Sequence, residues 1–580
     1  MQMYLQADIS ETYNWHCRID IPYAIMDHII PSFDNGQRAT LTFTLKSPPK
    51  FYNIRSTDDL HLYAGEEASP TTDILSSFAS LNLGPRVKKD RLERLCGLSA
   101  SNTMNSALCM VYKIAFFDTR SAHTALNFVR DFTVPDVHCW KTMVPATRTY
   151  TIEAEYAVVE NKLSAYDPSI PLEFNFAIRY QLTALVLEGT IAPLKMFKLI
   201  SDVYGIVKQH GADFTATAIR RLGQQIPTPG PSIDAEDFKI STFVTLLQES
   251  IEDSKARART TQDLAGNQKK HHHLALTYKA TVTPTGILLR GPDWDVSNRI
   301  LRKYATRTEY FMRVSFADED GLSVFHDPRA SQEQVYERFR TVLRNGISVA
   351  GRTFQFLGFS HASLRSHQAW FMAPFELDGV TVRARDIIRD LGDFTHIHCS
   401  AKCAARIGQA FSDTIFSVAV PQTAYVTETK DDVERNGRVF SDGCGTLSLD
   451  LLRKVWRALP PDRREQRPTV LQIRYRGAKG VLSLDDSLEG EQLHVRKSMT
   501  KYIAKESWRD LELCGAAYKP LSVFLNHQFI KILEDLGVPA TNFKAVQDEA
   551  VKTLKLITEH PLNAASFLGK FIFPLLFTGR

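Results

Sequence analysis

The chain has 580 residues, 44% hydrophobic and 23% charged, with 70 Lys and Arg against 65 Asp and Glu for a net charge of +5. At about 150 residues per domain this is room for about four domains of ordinary globular composition, which excludes collagen-like, mucin-like and wholly disordered classes. Spread evenly, +5 implies no polyanionic partner, so the distribution of charge has to decide. Eight scattered cysteines suggest no disulfide framework and point to a reducing compartment, cytoplasmic or nuclear. Asp8 and Glu11, with no basic stretch before an apolar run, do not read as a signal peptide. The most apolar tail, 567–577, contains Lys570 and Pro574 and is about half the roughly 20 residues a membrane span needs, so no membrane partner is expected.

Residues 1–222 alternate like strands at 39–45 and 148–159. The spacing predicts a helix over 193–209, with Leu194, Phe197, Leu199, Ile200, Val203, Tyr204 and Val207 on one stripe. The prolines of 226–232 and the polar stretch 252–273, with His271 to His273 in solvent, read as linkers framing a helix. Strands return from 280 to 420, and 400–413 predicts a helix placing Lys402 and Arg406 one turn apart. A proline-and-charge loop follows at 458–468. In 470–485 Leu471, Ile473 and Tyr475 alternate with Gln472, Arg474 and Arg476, a hairpin pattern with both arginines on the polar face, and Gly477 and Gly480 bracket Lys479. From 520 the chain reads as helical, first along Leu521, Phe524, Leu525, Phe529, Ile532, Leu533 and Leu536, then along Phe543, Val546, Ala550, Leu554 and Ile557. No internal repeat of fixed period is present.

Charge supplies the first functional signal. Residues 451–510 hold fourteen basic and eight acidic side chains, a net +6, which leaves −1 for the rest of the chain. Such a concentration suits polyphosphate binding, although a charge run alone also describes a solvated surface. The glycines around Lys479 favour phosphate, because glycine admits a phosphate to the backbone and lysine supplies a point charge. Cys444, between two glycines with no histidine base nearby, reads as a turn residue. His396, His398, Cys399 and Cys403 match no standard four-ligand zinc spacing. Asp318-Glu319-Asp320-Gly321 is the nearest approach to the carboxylate cluster of two-metal chemistry, with Asp293/Asp295 and Asp485/Asp486 behind it, but Asp and Gly are equally turn residues. P-loop, zincin and serine-hydrolase motifs are absent from the sequence.

An ordered string of segments resembles the eukaryotic cell-encoded RNA-dependent RNA polymerases of RNA silencing, of the fungal quelling and plant type. It runs through FAIRYQLTALVLEGTIAP (176–193), TPTGILLRGPDWDVSNRILRKY (283–304), EYFMRVSFADEDG (309–321), FQFLGFSHASLRSHQAWFM (354–372) and GDFTHIHCSAKCAARIGQAFS (392–412). It continues with GRVFSDGCGTLS (437–448), LQIRYRGAKGVLSLD (471–485), LHVRKSMTKY (493–502) and FLNHQFIKILEDLGV (524–538). The resemblance covers about 175–540. It implies an α+β, multi-domain fold in which an N-terminal slab is followed by a double-psi β-barrel and a helical connector. The implied division is 1–175 as a mixed N-terminal region, 176–420 as slab, 421–510 as first barrel and 511–580 as connector, with the second barrel absent.

The same resemblance implies RNA synthesis on a single-stranded RNA template from nucleoside triphosphates with Mg²⁺. Arg474, Arg476 and Lys479 would bind nucleotide phosphate, and Lys402, Arg406, Arg496, Lys497 and Lys501 would line the path of RNA. The family's D-x-D-G-D metal loop belongs to the second barrel and has no match here, and Asp318-Glu319-Asp320-Gly321 lies upstream of the first barrel. No catalytic or metal-ligating residue is therefore assigned, and the chain alone is expected to be inactive without a C-terminal polymerase portion. The alternatives are a non-catalytic RNA-binding protein derived from such a polymerase, and an interaction scaffold with a solvated basic surface.

Overall fold

A computed structural model of the chain describes residues 2–8, 14–32, 40–54, 92–96, 111–116, 120, 123–124, 127, 138–139, 152–164, 175–226, 239–264 and 274–576, the last span without 328–329, 415, 422–423, 460, 506–507 and 519–524. It divides into two compact units, Met1–Ala516 and Ala517–Arg580.

The first unit begins with two sheets. One runs in the order β1 (Gln2–Asp8), β2 (Asn14–Asp20), β5 (Lys50–Ile54), β6 (Leu92–Leu95) and β12 (Ala330–Ser331). The other runs β7 (Val111–Ala115), β4 (Thr40–Leu45), β3 (Met26–Ser32) and β8 (His138–Cys139). Ile19, Ile29, Leu41, Phe43, Phe51 and Leu95 close a common core between them.

A helical layer follows: α1 (Ile152–Ser164), α2 (Phe176–Leu187), α3 (Pro193–His210), α4 (Ala212–Gly223) and α5 (Ile240–Leu264). The sequence of α2 is apolar all round because it is a shared wall. Its Ile178, Leu182 and Leu185 join the helical core, whereas Phe176, Tyr180 and Ala184 join the core of the next sheet. Asn175 caps it, accepting the Ile178 N–H at 3.2 Å. The Tyr180 hydroxyl meets the Lys279 and Arg290 carbonyls at 2.6 and 2.7 Å.

That next sheet has the order β10 (Ile287–Val296), β9 (Leu274–Val282), β11 (Phe311–Phe316), β15 (Gln368–Met372), β14 (Arg352–Gly358) and β13 (Ile347–Val349). α2 and α7 (Glu333–Asn345) cover one face, and α6 (Arg299–Lys303) and α8 (Ala384–Leu391) pack against Phe311, Trp370 and Met372 on the other. A short hairpin, β16 (Phe375–Leu377) with β17 (Val380–Val382), leads into α8.

Beyond α9 (Ser400–Ile407) lies a seven-stranded mixed sheet, ordered β19 (Phe416–Ala419), β28 (Asp510–Ala516), β24 (Val470–Tyr475), β25 (Ala478–Leu484), β23 (Cys444–Leu447), β26 (Gln492–Arg496) and β20 (Tyr425–Lys430). It takes in strands on both sides of 421–510. β23 with β25 and β20 with β26 are parallel, and the other neighbours are antiparallel. Leu447, Leu471, Ile473, Leu482, Leu493, Leu511 and Leu513 pack against Leu451, Leu452 and Val455 of α10 (Leu449–Ala458). A hairpin of β21 (Glu434–Arg435) and β22 (Arg438–Val439) leaves the sheet, and β18 (Gly392–Asp393) pairs with β27 (Ile503–Ala504).

Several local expectations change. The 148–159 alternation predicts a strand, but α1 occupies 152–164 with Tyr156, Val159 and Leu163 buried at helical spacing; its alanines and glutamates are good helix formers. The polar stretch from 252 to 264 is not a linker but the end of α5, in which Ile251 and Ser254 are buried and Asp253 pairs with Arg257 at 2.8 Å. His271 to His273 and 227–232 lie outside the described residues. In α3, Met196 and Ile206 are buried while Leu194 and Phe197 are exposed, a slight rotation of the expected stripe. The loop at 458–468 contains one helical turn, Pro461–Arg464.

Among its described residues the second unit has three helices, α11 (His527–Asp535), α12 (Ala540–Glu559) and α13 (Pro561–Leu576). Asn526 caps α11 by accepting the Phe529 N–H at 2.9 Å. No side chain described in 525–568 is buried. Leu521 and Phe524, and the side chains of Phe571 to Phe577, lie outside the described residues.

Candidate functional site

β24 and β25 are joined by the two-residue turn Arg476-Gly477, with φ of 42° and 80°, the left-handed geometry that matches the twist of a tight hairpin. The register places Arg474 directly opposite Lys479 on one side and Glu512 on the other, so the three stand in a row on one face. Glu512 is buried and already matched, since Arg299 of α6 donates to it through Nε at 2.9 Å and Nη2 at 2.7 Å, and Arg302 through Nη2 at 2.5 Å. Lys479 has no carboxylate partner among the described residues. Burial, followed by the positive charges of Arg474, Arg406 and Lys501, holds it below the usual lysine range. Two like charges directly opposite in a sheet are destabilising, and here two more cations join them.

The guanidinium of Arg474 is buried, donates through Nη1 to the Ile473 carbonyl at 2.9 Å, and has an Nε with no partner among the described residues. The buried Nε of Arg406 on α9 is in the same state. Lys501 lies next to the turn, its backbone N–H donating to the Gly477 carbonyl at 3.0 Å and its Nζ to the Ser498 carbonyl.

Gly477 and Gly480 do a different task from the one expected. A Cβ on Gly477 would overlap the Tyr502 carbonyl oxygen, and one on Gly480 the Gly443 carbonyl oxygen. The space that glycine provides is filled by this protein's own crossing backbone, which brings Lys479 and Lys501 together.

The structure thus unites Arg474, Lys479, Arg406 and Lys501, drawn from three segments. It does not gather the other expected residues. Arg476 is the turn itself, not a member of the strand's polar face beside Arg474. Lys402 is exposed on α9, Arg496 donates to the Asp431 carbonyl at 2.7 Å, and Lys497 pairs with the Asp431 carboxylate at 2.6 Å. Reading the sequence missed Arg299, Arg302 and Glu512, whose only early signal is a charged residue inside the apolar strand LELC.

The acidic loop is structural. Arg94 Nη2 reaches Glu319 at 2.6 Å and also holds Asp318, and Lys50 meets Asp318 at 2.8 Å. Burial raises both carboxyls. For Asp318 the hydrogen bond from Glu319 and the Arg94 and Lys50 charges outweigh it and hold the group far below its usual range, while Glu319 is driven well above its own. The ion pairs of these two carboxyls with Lys50 and Arg94 tie β5 and β6 to the central region. Among the described residues no group of three or more His, Cys, Asp or Glu could hold a metal ion, and Asp318 and Glu319, already neutralised, do not fit Mg²⁺.

Residues 282–577, half of the chain, match the family described as RNA dependent RNA polymerase. The chain belongs to this family. Residues 1–149 match a second family, the fungal RdRP associated PH-like domain. RNA-dependent RNA polymerase 1 of Arabidopsis thaliana is 39% identical over 51% of this chain and 27% of its own length. RNA-dependent RNA polymerase 6 of the same plant is 36% identical over 51% and 25%. The match thus spans about a quarter of each of these relatives. Among solved structures, the RNA dependent RNA polymerase QDE-1 from Thielavia terrestris aligns with a TM-score of 0.39 and 19% identity, over 53% of this chain and 36% of that one.

Proposed function

We propose that this RNA-dependent RNA polymerase family chain takes part in template-directed RNA synthesis in RNA silencing, in cytoplasm or nucleus, and that the Arg474–Lys479–Arg406–Lys501 cluster holds the phosphates of a nucleoside triphosphate or of RNA. One observation carries the reading: cations from three segments are concentrated with no carboxylate matched to Lys479 among the described residues, on a sheet face where buried Glu512 is already bonded by Arg299 and Arg302. Such a face is stabilised by an anion with several oxygens. Lys479 would supply a mobile ammonium, and Arg474 and Arg406 fixed guanidinium donors, neutralising charge on a bound phosphate. The seven-stranded sheet, with its two parallel pairs inside an otherwise antiparallel order, supports assignment as the first double-psi barrel, with 176–420 as slab and 511–580 as connector. Arg476, Lys402, Arg496 and Lys497 would be peripheral to the phosphate. The described residues supply no cluster of ligands for Mg²⁺.

The test is binding of a nucleoside triphosphate and of single-stranded RNA to the full chain and to Lys479→Ala and Arg406→Ala. Removing either charge-assisted hydrogen-bond donor should weaken binding about tenfold or more with the melting midpoint unchanged. Unchanged affinity in both variants overturns the assignment. Nucleotide incorporation by the chain alone is expected to be nil, and incorporation that EDTA abolishes would contradict that expectation.

A further inference from the structure

We propose that Arg299 and Arg302 of α6 are positioning residues for the phosphate cluster, which they keep cationic by holding Glu512 away from Arg474; this rests on the functional reading above. Glu512 and Arg474 stand directly opposite each other on β28 and β24. Such a placement brings two Cβ atoms within roughly 4.5–5.5 Å, where opposite charges attract. Both side chains are buried, at 2% and 7% exposure, and a buried charge is costly unless it is paired. The two should therefore pair.

They do not. Arg474 donates through Nη1 to the Ile473 carbonyl at 2.9 Å, and its Nε has no partner among the described residues. Both oxygens of Glu512 are taken by α6. Arg299 donates to Oε2 through Nε and Nη2 at 2.9 and 2.7 Å, and Arg302 to Oε1 through Nη2 at 2.5 Å. Residues three apart share a helix face, so one short helix brings two guanidinium groups to one carboxylate. That helix is held in place. Asn298 caps it by accepting the Ile300 and Leu301 N–H groups at 3.0 and 3.1 Å, Ile300 and Leu301 join the core of Phe311 and Trp370, and Arg299 also meets the Tyr502 hydroxyl at 3.3 Å.

The consequence follows from charge. With Glu512 bound to α6, Arg474 stays unmatched opposite Lys479, and its guanidinium is left for a phosphate. A released Glu512 would form its charge-assisted bond with Arg474, cancel one charge of the cluster and occupy donors that the phosphate needs. Because α6 packs against the six-stranded sheet, the charge on a face of the seven-stranded sheet is set by a helix that belongs to its neighbour.

The experiment measures ATP binding to the full chain and to Arg302→Met, Arg302→Lys, Arg302→Met/Glu512→Gln and Lys479→Ala, each with a melting midpoint, at about 0.1 M and about 1 M salt. Arg302 is chosen because its side chain is 18% exposed and methionine keeps the apolar stem. Should Arg302→Met not fold, Arg302→Gln, an uncharged donor, replaces it with the same expectation. Arg302→Met should bind ATP about fivefold more weakly, and Arg302→Lys should stay within about twofold of the unaltered chain. The double variant should recover affinity, because the carboxylate that captures Arg474 is gone. A purely structural role gives no such recovery, since a second change in a buried network adds to the damage. Salt removes the other explanation: at about 1 M the Debye length is about 3 Å, so the loss of a distant charge fades, whereas a direct Glu512–Arg474 pair persists. Unchanged affinity in Arg302→Met, no recovery in the double variant, or a loss that fades at high salt overturns the inference. Lys479→Ala without effect on ATP overturns the phosphate cluster instead, and a weakened Lys479→Ala beside an unaffected Arg302→Met overturns only the positioning by α6.

Discussion

Lys479 faces Arg474 where a carboxylate would stabilise the sheet, so its proton is the sensitive one. Burial and the Arg474, Arg406 and Lys501 charges lower its pKa, whereas a bound phosphate favours the charged form. Triphosphate affinity should therefore fall as pH rises through a value below the ordinary lysine range, and Lys479→Arg, charged throughout, should keep affinity flat; a binding titration from neutral to alkaline pH checks both. The Asp318–Glu319 pair has the opposite pair of signs. Asp318, with a lowered folded pKa, contributes stability that is present above its unfolded value of about 3.9 and is lost as pH falls toward the folded one. Glu319, with a raised folded pKa, contributes stability that is complete below its unfolded value of about 4.3 and is lost as pH rises through the raised one. Glu319→Gln should abolish that alkaline loss at little cost. Asp318→Asn leaves buried Arg94 short of a counter-charge and should cost about 3–5 kcal/mol. Denaturant midpoints for both variants across pH separate the two outcomes.

Among the elements, Gly480 in the β24–β25 hairpin and Gly490 in the turn before β26 are glycines for different reasons. Gly480→Ala drives a methyl group into the Gly443 carbonyl and should cost about 3 kcal/mol or more, whereas Gly490→Ala, at a φ of 68° with open space around it, should cost about 1 kcal/mol. Urea midpoints rank the two. The same hairpin shows what a sequence discloses. Its strand, its turn and the buried Leu471, Ile473 and Tyr475 follow from alternation, because period-2 burial is local. The purpose of Gly477 and Gly480 is not local, since Tyr502 and Gly443 fill their space from other segments. The same holds for Glu512, whose partner Arg299 is 213 residues away, so no window of sequence holds both. Of the eight basic residues expected at the site, four converge; Arg496 and Lys497 meet Asp431, an acid that lies outside the basic run 451–510. Helix α1 is obscured because the run before it alternates like a strand, and only its burial at 156, 159 and 163 reveals the period.

On the scale of the whole molecule, the second unit carries Phe529, Ile532, Leu536, Val546, Leu554 and Leu562 at between 52% and 76% exposure. Apolar surface of that extent is uncommon on a soluble monomer. The full chain should bind a hydrophobic dye, and Ile532→Asp with Leu554→Asp should lower the dye signal while leaving the melting midpoint in place; a lowered midpoint would identify these side chains as core. In the first unit, the order of the seven-stranded sheet has a consequence for biosynthesis. β28 is inserted between β19 and β24, yet it is the last of the seven strands in the chain. Until Asp510–Ala516 leaves the ribosome, β24 has an open edge and β19 has no neighbour to pair with. At about 5–20 residues per second, the 41 residues from Arg476 to Ala516 hold that edge open for roughly 2–8 s. The nascent chain is then most open to aberrant strand pairing, and a ribosome pause between these positions should lower the soluble yield without altering the finished protein.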